Sequence, residues 1–185
     1  MIIEAAKMIL MWRTGVSVSE NLPLEICSFA AYSIALDSIH PERPFFSMML
    51  LVLFLPAAIM AVLFPTTSPL PAVNFYTIHQ FLYHGLIIAY VLARYLAGEI
   101  PVLYSEVWGC IGKILVLVAI MYVVDTLFRR NFMFLKDAYG NPLLEVIWKV
   151  TGGGFAYTIG LISFCIFMVH VFFGIFKVIA LLLHL

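Results

Sequence analysis

The chain has 185 residues, of which 64% are hydrophobic and only 11% charged, with no net charge. A soluble domain carries about twice that charge, about 25%, and a nucleic-acid binder shows a basic footprint that is missing here. Cys27, Cys110 and Cys165 stand far apart without CxxC spacing, which excludes a disulfide framework and a zinc site.

Apolar stretches of about 20 residues recur along the chain, so the sequence predicts an all-α, polytopic transmembrane helical bundle. The whole of 1–185 reads as a single transmembrane domain with about five membrane helices and a short N-terminal helix. Residues 1–13 form that helix, with Glu4 and Lys7 inside it. At 1.5 Å per residue it is too short to span a bilayer by itself, and it reads as an interfacial helix or as the end of a longer span. Gly15 to Asn21 is polar and reads as a loop. Residues 22–37 make a short helix with Pro23 in its first turn, where a missing N–H costs little.

After a charged turn, 45–64 forms a clean span with a kink expected at Pro56. Pro65 to Pro71 is a proline-rich loop, expected to act as the fixed rim of a pocket at the membrane surface. The span 74–95 follows, with Asn74 as its N-cap. A turn at Gly98 to Pro101 leads to the span 107–128, which contains Lys113 and Asp125. The connection 129–154 holds Asn131, Asn141-Pro142, an amphipathic stretch around Trp148 and the run Gly152 to Gly154, read as a flexible hinge. The last span covers 155–182.

Successive helices alternate direction, so loops 14–21, 65–73 and 129–154 share one membrane face. The loops 38–44 and 98–106 share the other. Arg13, Arg129, Arg130, Lys136 and Lys149 lie on the first face, against Arg43 and Arg94 near the second. The positive-inside rule assigns the first face to the cytoplasm of a multi-pass protein of the cell membrane.

Ionisable groups in apolar spans are costly and therefore candidates for function. Cys27 lies about one turn into a helix leaving the first face, and His79 just over a turn into another. Asp125 is near the end of a helix returning there, and Asn131 lies just beyond. Cys27 and His79 are thus candidates for a nucleophile and its base, since a thiol attacks as its thiolate. The bland reading is a small buried cysteine. His79 and His84 are five residues apart, about 140° around a helix, and do not share a face. No metal pair is expected from them. Tyr76, His79, Tyr83, Leu86 and Tyr90 form one stripe, expected to face the bundle interior.

His84 and Tyr83 are candidates for support, with helix packing as the plainer role of His84. Asp125 reads first as a local ion pair with Arg129 and second as the acid that orients His79. Lys113 is expected to snorkel towards Glu106 or Glu99, and His170 to be a packing or headgroup histidine. Cys110 and Cys165 read as inert packing residues. No glycine-rich phosphate loop or hydrolase motif is present, and no cofactor is expected.

Three blocks together resemble the YwaF-like family of integral membrane proteins, whose eukaryotic relatives include a cysteine-dependent phospholipid acyltransferase. They are Leu22-Pro23-Leu24-Glu25-Ile26-Cys27, then Phe64-Pro65 with Phe75 to Gly85, and Asn131 to Leu135 with Asn141-Pro142. The bacterial family often has His where Glu25 stands, and it tends to carry one more N-terminal span. The resemblance implies acyl transfer from a phospholipid through a Cys27 thioester, with His79 as general base. Asn131 or Asn141 would orient His79 or line an oxyanion site. The expected partners are membrane lipids, with a partner membrane protein or a second copy of the chain as alternatives. A non-catalytic subunit that binds membrane proteins or serves a transport complex is the alternative function.

Overall fold

The computed structural model describes residues 2–15, 22–65 and 71–184. Most of the loop at 15–21 and of the proline loop, including its expected role as a rim, lies outside the described residues. The elements are helices: α1 (Ile2–Thr14), α2 (Ile26–Ile39), α3 (Pro44–Leu63), α4 (Phe75–Leu96), α5 (Tyr104–Phe128), α6 (Pro142–Thr151) and α7 (Gly154–Leu183). Helices α3, α4, α5 and α7 are long and apolar enough to cross a membrane. The shortest of them, α3 with 20 residues, is about 30 Å long, the thickness of a bilayer core. Helix α2, with 14 residues, reaches about 21 Å and is a shorter apolar helix of the bundle rather than a full span. The all-helical membrane bundle expected from composition is therefore what forms.

Helix α3 occupies the centre, with α2, α4, α5 and α7 packed around it. Leu50 to Leu55 are all buried there. Lipid tails are as apolar as leucine, so close packing and hydrogen bonds hold such helices together rather than escape from water. The expected kink at Pro56 takes a specific form, because Leu50–Phe54 winds as a π-helical turn. The ring of a helical proline clashes with the carbonyl four residues back. Widening the preceding turn accommodates the ring without breaking the span.

Asn74 caps α4 by accepting the Tyr76 N–H at 2.8 Å, as its residue type predicts. Along α4 the buried positions are Thr77, Tyr83, His84, Ile87, Val91 and Tyr95. This corrects the expected stripe, since Leu86 is half-exposed while Ile87 is buried. At about 100° per residue, Ile87 lies about 40° around the helix from Tyr83 and Leu86 about 60° to the other side, and the buried face lies towards Ile87.

The connection 129–141 folds back against the bundle instead of trailing from it. Phe132, Met133, Leu135 and Ala138 join Met121 of α5 with Tyr157 and Leu161 of α7 in a second apolar cluster. Asn141 then caps α6, accepting the N–H groups of Leu143 and Leu144 at 3.1 and 3.3 Å, with Pro142 in the first turn. The amphipathic stretch around Trp148 is thus a helix in its own right. The run Gly152 to Gly154, expected as a flexible hinge, is a defined turn. All three residues have positive φ, at 79°, 81° and 59°, and a Cβ on Gly153 would meet the Trp148 ring at 2.7 Å.

Helices α2 and α4 run parallel, tied at both ends. At one end the Tyr83 hydroxyl donates to the Cys27 carbonyl at 3.3 Å. At the other, Arg94 pairs with Asp37, and Tyr90 donates to the same carboxylate at 3.2 Å. Arg94 also bonds Glu99 at 2.8 Å. Gln80 of α4 donates to Ala61 near the end of α3, at 3.5 Å, so α3 runs antiparallel to both. The alternation read from the sequence therefore holds for these three helices.

Asp37 is fully buried. Removing its cation leaves an uncompensated charge, which costs about 3–5 kcal/mol in a buried pair. Arg94→Ala should lower the thermal midpoint of the protein in detergent. The double variant Asp37→Asn, Arg94→Leu should recover part of that loss in the same melt. Equal midpoints for Arg94→Ala and wild type would show that the pair contributes nothing.

Candidate functional site

The beginning of α4 carries the first candidate. His79 stacks on Tyr83, with ring centroids 5.4 Å apart and planes 13° from parallel. One turn of helix separates the two residues, so the stack follows from local geometry. Tyr83 is buried and gives its hydroxyl to the backbone of Cys27. Cys27, His79 and Tyr83 are thus brought to one place by the parallel pairing of α2 and α4. The Cys27 side chain packs partly buried against the main apolar core.

The acid beside His79 is Glu4, a residue that sequence reasoning left without a role. Glu4 Oε2 lies 3.3 Å from His79 Nε2, and Lys7 pairs with the same carboxylate from one turn along α1. The histidine contact is close but without hydrogen-bond alignment, for Nε2 has no aligned partner among the described residues. Glu4 is only 7% exposed. Burial opposes its ionisation, yet His79 and Lys7 together outweigh burial and hold its carboxyl below the usual carboxylate value. The signal was legible as a carboxylate and a lysine inside an otherwise apolar short helix. Their target was not, because nothing in the spacing says which helix α1 lies against.

Beside this cluster lies a cavity of about 180 Å³, lined by Glu4, Ser28, Tyr32 and Tyr83 together with Pro23 and residues of α1. Ser28 is buried, and its hydroxyl stands close to that of Tyr83 but has no aligned hydrogen bond among the described residues. Unsatisfied polar groups at such a depth are uncommon and mark a place where a polar ligand gains hydrogen bonds.

The other candidates lie elsewhere. His84 is buried behind Tyr83, edge-on to its ring at 5.9 Å, and its Nδ1–H donates to the Gln80 carbonyl at 2.7 Å. Asp125 does not turn to Arg129 or to His79. Its Oδ1 accepts the Phe132 N–H at 3.0 Å, pinning the start of the connection to the end of α5. Arg129 closes that helix in the left-handed conformation with φ 53°, so the backbone turns away where the ion pair was expected. Asn131 shapes the same connection, donating to the Asp137 carbonyl at 2.8 Å and accepting the Lys136 N–H at 2.9 Å. Asn141, besides capping α6, donates to the Phe64 carbonyl at 3.0 Å. These three polar groups are engaged in holding backbone.

Lys113 takes an aromatic partner rather than Glu106 or Glu99. Its ammonium sits 3.4 Å from the centre of the Phe45 ring, a cation–π contact that suits a dry site. His170 packs between Tyr104 and Trp108. Cys110 is buried, whereas Cys165 lines a second, apolar cavity between α3, α5 and α7.

A family model describing the TMEM164 family matches residues 1–182. The chain belongs to the TMEM164 family. The match covers nearly its whole length, including α1 and both helices of the Cys27–His79 pair. None of the curated proteins and none of the solved structures compared with the chain matches it. Four apolar helices and membership of this family make it a multi-pass membrane protein.

The lowered carboxyl of Glu4 fixes the sign of a pH effect. A depressed folded-state pKa contributes stability above the unfolded value and loses it as pH falls through the folded one. The docking of α1 on α4 should therefore hold at neutral pH and weaken in acid, below the usual carboxylate value of 4.5. Thermal melts of wild type and Glu4→Gln should differ most at neutral pH and converge as the buffer is acidified. A difference that is independent of pH would overturn the assignment.

Proposed function

We propose that this chain is a membrane acyltransferase or transacylase that carries an acyl chain from a phospholipid on Cys27. The observation that carries the reading is that Tyr83, stacked on His79, donates its hydroxyl to the backbone carbonyl of Cys27 where two parallel helices pair. The resemblance of the three sequence blocks to YwaF-like proteins and to cysteine-dependent phospholipid acyltransferases supports it independently. In the first half-reaction His79 takes the proton of the Cys27 thiol. The sulfur attacks the ester carbonyl carbon, a C–S bond forms, and the ester C–O bond breaks. The departing lysolipid oxygen takes the proton from the imidazolium. In the second, an acceptor hydroxyl attacks the thioester, loses its proton to His79, and displaces the sulfur, which is reprotonated. Glu4 positions His79 and stabilises its charged form in both halves. The bias of basic residues towards the first face supports a cytoplasmic position for this site.

Helix α1 presents Ile2, Ile9 and Trp12 outward. That surface is the observation favouring the alternative of a subunit that docks on another membrane protein or on a second copy.

Wild-type protein incubated with a radiolabelled phospholipid should acquire a hydroxylamine-sensitive acyl adduct that Cys27→Ala lacks. His79→Ala should slow its formation by about 10²–10⁴, the usual contribution of a general base. Equal labelling of wild type and Cys27→Ala would remove the nucleophile. An unlabelled wild type that co-purifies with another membrane chain would favour the docking subunit.

A further inference from the structure

The apolar cavity between α3, α5 and α7 has a volume of about 230 Å³, a little below the roughly 300–1,000 Å³ of common ligand clefts. Its shape follows from the helices that bound it. On α3 it is lined from Val52 to Phe64, about 18 Å of helix. On α7 it is lined as far as Val169, about 22 Å beyond the helix start at Gly154. It therefore begins beside Asn141 at the first face and runs deep into the bilayer. Asn141 is the one amide side chain among the described residues of its wall, and both its polar ends are engaged by backbone. An occupant gains no hydrogen bond inside, so it is long, narrow and purely apolar.

The position of this cavity relative to Cys27 is informative. Ile26 lines the apolar cavity, and Ser28 lines the polar one beside Glu4 and Tyr83. Successive residues of a helix point about 100° apart, so Cys27 stands between the two. One neighbour faces a hydrocarbon-lined slot and the other a wall of carboxylate and hydroxyl groups.

We propose that the apolar cavity is the binding site for a single fatty acyl chain of a membrane lipid, with the chain's carbonyl end at Cys27 and the polar part of the lipid in the Ser28–Glu4 cavity. This deepens the acyl-transfer reading and rests on it. A carbonyl carbon is the boundary between the apolar and polar parts of a lipid, and the two neighbours of Cys27 line an apolar cavity and one that carries a carboxylate and hydroxyls. Ala57 and Cys165 lie on opposite walls of the slot, on α3 and α7, where a larger side chain would occupy the space of the chain.

The test compares purified wild type with Ala57→Trp, and with Cys165→Phe as a second blocking variant from the opposite wall. Each is labelled with p-nitrophenyl palmitate and with p-nitrophenyl acetate, and lipid retained after delipidation is identified by mass spectrometry. Blocking the slot should lower the ratio of long-chain to short-chain adduct on Cys27 by at least about tenfold, as expected when a pocket loses several methylenes of contact. Retained acyl lipid should fall with it. An unchanged ratio and unchanged retained lipid in both variants would overturn the proposal, as would a sterol as the retained species. Retained acyl lipid that the variants lose, with no adduct on wild-type Cys27, would sink the acyl-transfer reading while leaving the slot as a lipid-tail site.

Discussion

Helices α2 and α4 are held parallel by polar contacts at both of their ends, and the candidate site depends on that constraint. The Arg94–Asp37 pair with Tyr90 fixes one end, and the Tyr83–Cys27 bond fixes the other. Both lie among apolar side chains, where breaking a charged or hydrogen-bonded contact is costly and slippage by one turn would orphan buried groups. Register is thereby set, and with it the level of Cys27 against Tyr83 and the His79 stacked on it. A pair of helices held only by leucines would slide more easily, because lipid replaces such contacts at little cost.

The site's second dependence is on α1. This helix supplies the carboxylate at His79 and part of the wall of the cavity beside Tyr83. Lys7 neutralises Glu4 from the same helix, so the pair can be buried together. The result is an acid, an imidazole and a phenol in sequence towards a cysteine, assembled from three helices. Central α3, widened by its π-helical turn ahead of Pro56, spaces the surrounding helices and leaves the apolar slot on one side.

Much of the fold was legible because membrane helices are written in composition. The bounds of α3, α4 and α7 fall within one residue of the expected spans, since apolar length and turn residues decide them. Helix α5 begins three residues before the expected 107, because Tyr104, Ser105 and Glu106 join the helix while reading as polar. The site was legible in part. Helix alternation carried Cys27 and His79 to one face without any contact information. Asp125, Asn131 and Asn141 reach the same face by the same argument, yet the first two turn to backbone groups of the connection 129–141, and Asn141 turns to the start of α6 and the Phe64 carbonyl. Topology assigns depth, and depth is shared by every residue near one surface.

The sequence by itself therefore determined a helical membrane bundle and the alternation of its α2, α3 and α4, and it singled out a cysteine and a histidine as candidates. These follow from hydrophobic length, loop count and residue chemistry, all local along the chain. Only the tertiary structure decided that Glu4 rather than Asp125 stands at His79, that Gly152 to Gly154 is a defined turn, and that Ile26 and Ser28 line two different cavities. Those depend on which faces of the helices meet. That choice is made by a few buried polar contacts and by side-chain volume, which a pattern of apolar residues leaves open.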